Sequence, residues 1–593
     1  MQRLFPLKAV FAGGRFPRHS LALPFFPFPT GPSGPFLLFI PFMSEFLSRN
    51  RSWLMTLLCL VAALWVLAWW RAEGTPQPLA EGADGKLQCL SYTAFRKPDE
   101  TPMNPDASVD EARVREDLSI LSARTGCVRT YSVIQGLEHV PKVAKELGMQ
   151  VLMGIWIGRE RDKNDLEIER AIALARQYPD TIRGIVVGNE VLLRREQSAQ
   201  QMATYLDRVR AAVDIPVTYA DVWEFWAENK SLADHVSFVT VHILPYWEDH
   251  PVGIHDAIQH ITGTAEQMRQ MFHGKDVLIG ETGWPSAGRQ RMAAVASRVN
   301  EARFMREFSQ AAADHHLNYN FIEGFDQPWK RGQEGAMGGN WGVFDSDGQP
   351  KFPATGPVAE DPHWYRGWLG AAAGALVALW LLRVWRVRGR ATQVQLVALG
   401  VASGGLLVAQ ARYGTIWNRD VLEWGTSVIF GLASVALVVV MARLIALGRS
   451  DRPAGGGLES LDGVQVPSFI TLWRRRRAHF DALDWLGVCR SFFLFGGALM
   501  ALLLVFDSRY RGFPTVLYML PLLGLLMARL AGLRLVGDAE ERVLARICAL
   551  GAVLFVLMEG FANTQSWVFG LTLLALVAAA GGLRLCRQGI CRR

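Results

Sequence analysis

The sequence predicts an α/β fold. A (β/α)8 TIM barrel over residues 85–355 is flanked by one N-terminal transmembrane helix and a C-terminal all-α polytopic membrane domain over 364–585. Three observations predict it. Between 85 and 355, eight short apolar runs alternate with amphipathic segments, in about the length one such barrel needs. Two of those runs, Ile185-Val186-Val187-Gly188-Asn189-Glu190 and Val277-Leu278-Ile279-Gly280-Glu281, end in a carboxylate, which is how a barrel presents reactive groups at its C-terminal face. Beyond 364 the chain turns to long runs of Leu, Ala, Val and Gly broken by Arg clusters.

In chain order, the N-terminal segment 1–52 comes first. Its first 42 residues are rich in Pro, Phe and Gly and have no period. Met43 opens a more ordinary approach to a membrane anchor, so 1–42 is expected to lie upstream of the true start. The apolar run 53–70 is flanked by Arg49, Arg51 and Arg71 and lacks a small-residue cleavage site, so it reads as an uncleaved signal-anchor. A linker, 71–84, leads to the barrel. The candidate strands are 87–92, 127–131, 150–156, 184–190, 216–221, 236–243, 276–281 and 319–325. Between them, 111–123 places Val114, Leu118 and Leu121 at helical spacing, and 167–177 and 201–213 behave similarly. No Gly-rich phosphate turn follows the first strand, which disfavours a doubly wound sheet. Seven further spans are expected near 364–385, 391–411, 424–446, 485–506, 514–533, 543–561 and 565–585, making eight in all, with a cytoplasmic tail over 586–593. Arg490 interrupts the span at 485–506.

Charge orients these spans. With the N-terminus inside, 383–390, 443–477 and 529–546 face the cytoplasm and hold most of the Arg, including Arg474 to Arg477. The turns at 412–420, 507–513 and 559–566 hold four. The positive-inside rule then places 71–363 outside the cytoplasm, as the periplasmic domain of a multi-pass protein of a bacterial inner membrane. Residues 85–360 carry 30 Lys and Arg against 38 Asp and Glu, so the overall charge of +7 belongs to the hydrophobic half. That excess is a topology signal; it argues against a nucleic-acid partner and leaves a lipid bilayer and a neutral substrate. Of seven cysteines only Cys89 and Cys127 fall in the soluble part, on neighbouring predicted strands. Both a disulfide and two buried thiols fit, and free thiols are the preferred reading. No Cys/His spacing resembles a zinc site, and the chemistry below requires no metal or organic cofactor.

Paired carboxylates at strand ends are the working groups of a glycosidase. Strands four and seven face each other across a barrel, so Glu190 and Glu281 point at one cleft. Glu190, as the acid, needs a raised pKa, which burial against aromatics supplies. Asn189 beside it is placed to bond a sugar hydroxyl. Arg129 and Tyr131 end the second strand and are candidates to hold the nucleophile; a structural ion pair explains Arg129 as well. Aromatic faces stack on pyranose C–H faces, so Trp156, Tyr246 and Trp284, beside strand ends, are candidates for a sugar groove, with core packing as the alternative.

At Gly188-Asn189-Glu190 and Glu281-Thr282-Gly283-Trp284-Pro285-Ser286 the chain resembles glycoside hydrolase family 17, the β-1,3-glucanases and β-1,3-glucanosyltransferases. Val128-Arg129-Thr130-Tyr131, Gly154-Ile155-Trp156, Phe325-Asp326-Gln327-Pro328-Trp329-Lys330 and Trp341-Gly342-Val343-Phe344 support it. The resemblance implies a retaining (β/α)8 barrel, Glu190 as proton donor, Glu281 as nucleophile, and Lys330 and Glu334 in the family's substrate-binding pattern. Gln327 departs from it, because many members carry Glu there. Bacterial chains joining this barrel to membrane spans resemble proteins of β-glucan synthesis and remodelling. The largest cytosolic loop here, about 447–484, is too short for a glycosyltransferase, so any glucan synthase must be a separate membrane partner.

Two functions follow as expectations. One is a membrane-anchored enzyme that hydrolyses or transfers β-1,3-glucan outside the membrane. The other is a glucan-binding export or assembly scaffold, or a transporter, working with that separate synthase. Ionisable residues inside spans would mark transport. Glu423, Asp507 and Glu559 lie near span ends, which favours the enzyme.

Overall fold

The computed structural model describes residues 50–82, 86–448, 458–476 and 479–582. The expectations for 1–42 and for the tail 586–593 lie outside the described residues. Eight parallel strands close into a barrel in sequence order: β1 (Leu90–Ser91), β2 (Cys127–Arg129), β3 (Gln150–Ile155), β4 (Ile182–Asn189), β5 (Val217–Val222), β6 (Val239–His242), β7 (Val277–Thr282) and β8 (Asn318–Phe321). Each expected strand is present, most of them shorter than the apolar run that announced it.

Helices return the chain between strands, among them Glu111–Ser122, Arg161–Gln177, Ala199–Arg210, Ile254–Met271 and Arg298–Asp314. Side chains set the starts of three of these: Asp110 caps the first, Ser198 forms a capping box with Gln201, and Ser297 caps the last. Each cap accepts a backbone N–H that the first turn leaves without an intrahelical partner. In the first helix Val114, Leu118 and Leu121 are all fully buried, as their spacing predicts.

Side chains alternate along each strand, so Cys127 shares a face with Arg129 and Cys89 with Ser91. Cys89, Cys127, Leu152, Val186, Ala220 and Leu278 form a small buried cluster of their own below the site. Here one expectation is corrected: Cys89 and Cys127 are joined in a disulfide. The register Leu90 with Val128 sets the two cysteines side by side, 4.4 Å apart at Cα, on paired strands.

The second correction concerns the membrane. Among the described residues, five helices are long and apolar enough to cross one: Arg51–Glu73, Tyr365–Val384, Arg390–Trp417, Val421–Leu447 and Ala482–Phe506. Eight were expected. Thr515–Leu530 and Thr564–Ala580 are apolar but only 16 and 17 residues long, just under the usual span of about 17–25 residues or at its lower edge. Ala539–Glu559 begins with Glu540, Glu541 and Arg542 and carries Arg546 a turn later, which leaves too short an apolar remainder.

The barrel is fastened to these helices in two places. Where it begins and ends, Arg412 bridges Glu73 at 2.8 Å and Asp361 at 3.3 Å, while Gln77 pairs with Val358. At its C-terminal face, loops after β6, β7 and β8 meet the membrane domain. Trp247 stacks on Tyr510, Arg289 pairs with Glu559, and Arg331 donates to the Thr415 carbonyl at 3.0 Å.

Candidate active site

Three strand ends converge on one point. Glu190 follows β4, His242 ends β6 and Glu281 lies near the end of β7. His242 Nδ1 is 3.1 Å from Glu190 Oε1 and 3.7 Å from Glu281 Oε2. One such atom from each of the three residues lies within 4.8 Å of the other two.

Local backbone explains how Glu190 reaches the cleft. The pairing of β4 with β5 slips between Val186 and Asn189, and Gly188 takes a φ of 83°. Such a bulge bends a strand and re-aims the side chains after it. Glu190 itself has a φ of 53°, a left-handed conformation costing a non-glycine residue roughly 1–3 kcal/mol. Neighbours hold it there. Its N–H donates to the Ala220 carbonyl at 2.8 Å. Asp221, at the end of β5, accepts the N–H of Leu192 at 3.2 Å and of Leu193 at 3.4 Å, pinning the segment just beyond. Burial pushes the Asp221 carboxyl up to about 6, against the hydrogen bond from Tyr219. Gly280 makes room for His242, because a Cβ there would stand 2.5 Å from Thr240 and 3.1 Å from the imidazole.

Glu281 is held from the opposite side. Tyr131 Oη donates to its Oε1 at 2.8 Å, and Arg129 Nη1 lies 3.2 Å from the same oxygen. Arg129 is wholly buried, where an unpaired guanidinium would be costly. It also donates to the Gly280 carbonyl and to Asn189 Oδ1, both at 2.6 Å. Behind Tyr131 a relay of hydrogen bonds runs to Ser91 at 2.8 Å and from Asn320 to Ser91 at 2.8 Å. A carboxylate held by a cation and a phenol is fixed in its aim, as a nucleophile must be.

Glu190 differs from expectation. Burial pushes its carboxyl up, but the His242 hydrogen bond and the charges of His242, Arg194 and Arg129 outweigh burial and leave it below the ordinary value. Sequence reasoning anticipated the burial and missed the imidazole. The signal was available: Val239-Thr240-Val241-His242 is another apolar run ending in a titratable group.

Glu323 was also missed. It sits just beyond β8, fully buried, accepting from Gln327 Nε2 at 2.6 Å and Lys330 Nζ at 2.8 Å. Burial raises its carboxyl to about 7, despite Lys330. A Glu at position 327 would set a second carboxylate against it; Gln327 donates a hydrogen bond instead. Glu334 lies close enough for the charges of Glu190 and Glu281 to add to burial in raising its pKa, and Lys330 opposes them.

Of the residues chosen from sequence, Glu190, Glu281, Asn189, Arg129 and Tyr131 thus come together, with Lys330 and Glu334 on the adjoining loop. Trp156, at the end of β3, is 39% exposed with the Arg194 guanidinium 4.3 Å over its ring. Tyr246 and Trp284 are corrected as stacking surfaces, since both are 0% exposed. Tyr246 donates to the Arg289 carbonyl, Trp284 donates to the Val295 carbonyl at 2.9 Å, and their rings meet edge-on at 5.6 Å. They brace the loop after β7 from inside.

Glu190, His242 and Glu281 have the donor types of a cation site, and some of their atoms are already engaged. Arg129 and Tyr131 occupy Glu281, and His242 Nδ1 faces Glu190.

Residues 89–342 match the family described as the BtgE/BtgC glycoside hydrolase domain. A glucan 1,3-β-glucosidase of Arthroderma benhamiae is 28% identical over 270 residues, 41% of this chain and 85% of that protein. A glucan 1,3-β-glucosidase of Saccharomyces cerevisiae is 26% identical over 267 residues, 40% of this chain and 82% of that one. Among solved structures, an active-site mutant of Rhizomucor miehei β-1,3-glucanosyltransferase in complex with laminaritriose aligns at 25% identity and a TM-score of 0.40. That alignment covers 46% of this chain and 98% of the other. The barrel is thus similar to that glycoside hydrolase domain and to these glucan 1,3-β-glucosidases, and the family match stops short of the helices from Tyr365 onwards.

Proposed function

We propose that this chain is a membrane-anchored retaining enzyme that cleaves β-1,3-glucan outside the cytoplasmic membrane, with Glu281 as nucleophile and Glu190 as acid and base. The observation that carries the reading is the separation of the two carboxylates, whose nearest oxygens lie within 4.8 Å. Retaining glycosidases hold their carboxyls about 5–5.5 Å apart, whereas inverting ones need about 6.5–9.5 Å to admit a water.

In the first step a Glu281 oxygen bonds to the anomeric carbon while the glycosidic bond breaks and Glu190 gives its proton to the leaving oxygen. In the second, Glu190 takes a proton from the acceptor, whose oxygen displaces Glu281. Water as acceptor gives hydrolysis; a sugar hydroxyl gives transfer. Glucan covering the open part of Glu190 strengthens burial, the effect that favours its protonated form. His242 Nε2, Glu323 Oε1 and Gln327 Oε1 are buried without hydrogen-bond partners among the described residues. Groups of that kind suit a polyhydroxylated ligand.

A periplasmic barrel is favoured by the Arg distribution and by the Cys89–Cys127 disulfide, which suits an oxidising compartment. A separate membrane synthase would supply the glucan. Detergent-solubilised full-length protein, incubated with a reduced laminari-oligosaccharide and followed by mass spectrometry beside Glu281→Gln, tests the reading. Products longer than the substrate identify a glucanosyltransferase; only shorter ones identify a glucanase. A wild type as inert as the variant sinks the assignment.

A further inference from the structure

The membrane helices contain a cavity of about 300 Å3 where Arg390–Trp417 ends and where Thr515–Leu530 and Thr564–Ala580 begin. Tyr413, Trp417, Phe513, Thr515, Thr564 and Gln565 are among the residues that line it. It lies directly behind the catalytic face. Gln565 Oε1 accepts the backbone N–H of Gln290 at 3.0 Å, and Thr564 Oγ1 donates to Gln290 Oε1 at 2.8 Å. Asn563 Nδ2 donates to the Gln290 carbonyl at 2.9 Å. Phe513 lies 5.1 Å beneath the Arg289 guanidinium. Arg289 and Gln290 belong to the loop that leaves β7 just after Glu281. On the other flank Arg331 bonds the Thr415 carbonyl, between Tyr413 and Trp417, and opens the short helix that ends in Glu334.

We propose that this cavity is a binding site for a distal segment of the glucan chain, so that the membrane domain extends the cleft of the barrel. The proposal rests on the glucan reading above. Tyr413 and Trp417 stack at 5.6 Å and 16°, so two near-parallel aromatic rings line the cavity. Flat rings with hydroxyl and amide groups beside them suit a pyranose, which offers C–H faces and equatorial hydroxyls. No Lys or Arg lines the cavity to receive a lipid phosphate. Arg289, which lies over the Phe513 ring, is already paired with Glu559.

The test is binding, measured on full-length Glu281→Gln protein in detergent by calorimetry, with laminari-oligosaccharides of increasing length. Trp417→Ala and Tyr413→Ala are compared in the same background, each checked for an unchanged elution profile and melting temperature. The expected result is an affinity that rises once the oligosaccharide passes a threshold length. Either substitution removes about tenfold of that rise and leaves the affinity for the shortest binding oligosaccharide unaltered. Equal affinities for variant and parent at every length overturn the proposal, as does a loss independent of length. A phospholipid that copurifies with the parent and is lost from Trp417→Ala, with glucan affinity unchanged, also overturns it. If wild type turns over no β-1,3-glucan yet the length-dependent step appears, the enzyme reading fails and the site stands. Turnover without the step fails the site alone.

Discussion

Removing His242 should move the pH dependence of the enzyme in the alkaline direction. His242 Nδ1 stands 3.1 Å from Glu190 and is the main influence opposing burial there. A hydrogen bond to a charged group contributes roughly 1.5–3 kcal/mol, and one pKa unit is about 1.36 kcal/mol, so its loss corresponds to about 1–2 units. The groups left facing Glu190 are Arg194 and Arg129, which lower its pKa, and Asp221, Glu281 and Glu334, which repel its charge. In the proposed role of Glu190 as the acid, activity is lost as pH rises through its pKa, and this sets the alkaline limb of kcat/KM. With the pKa depressed in the wild type, that limb lies low. In His242→Ala burial is less opposed, the pKa rises, and the limb moves up by about 1–2 pH units. His242→Gln, which keeps a neutral donor, should move it less. The assay is kcat/KM against pH on a fluorogenic laminari-oligosaccharide. A limb that stays put or moves to lower pH refutes the electrostatic account of Glu190.

Glu190→Ala should lose about 10²–10⁴-fold in kcat/KM and be rescued by azide as the β-glycosyl azide, whereas Glu281→Ala should yield the α-anomer; NMR of the products distinguishes the roles. Arg289→Ala breaks the fastening to Glu559 and to the carbonyls of Ser508 and Arg511. Amides of 286–296 should then exchange hydrogen roughly 10–100-fold faster, the range set by losing about 1.5–3 kcal/mol. Replacing Cys89 and Cys127 together by Ala opens a link across 38 residues, which chain entropy values at about 4 kcal/mol, read as a lower melting temperature. Chelation should leave activity unchanged, because the proposed chemistry needs only the two carboxylates, with Glu281 Oε1 held by Arg129 and Tyr131; inactivation by EDTA restored by a divalent cation would count against that.

Glu190 and Glu281 were legible because a carboxylate ending an apolar strand has few other uses, and the register of a barrel brings such ends together. Arg129 was legible as a charged group ending the second apolar run, two residues beyond Cys127, and Tyr131 two residues further on, just past β2. The aromatics were not. Tyr246 and Trp284 stand beside strand ends as Trp156 does, yet two face inward under a loop and one faces out, and that choice is made by packing between distant segments. His242 and Glu323 escaped because each was taken as strand interior, where a polar side chain reads as filler until its neighbours are known. The disulfide escaped because spacing alone cannot tell an oxidised pair from two thiols; the pairing of β1 with β2 decides it. The membrane helices were recognisable by composition, but their lengths depended on where Pro514, Asn563 and the charged start of Ala539–Glu559 let regular structure begin.

The Arg412 clamp and the Arg289 fastening together have a kinetic consequence. A catalytic domain on a loose stalk sweeps a hemisphere and meets polymer throughout that volume. Held at both its root and its working face, this barrel keeps its cleft at one height and one tilt, so its working zone is a thin layer parallel to the lipid. Turnover by the proposed enzyme would then scale with membrane area and with how long a chain dwells in that layer. Polymer in the bulk, however concentrated, contributes only at the rate at which it arrives there.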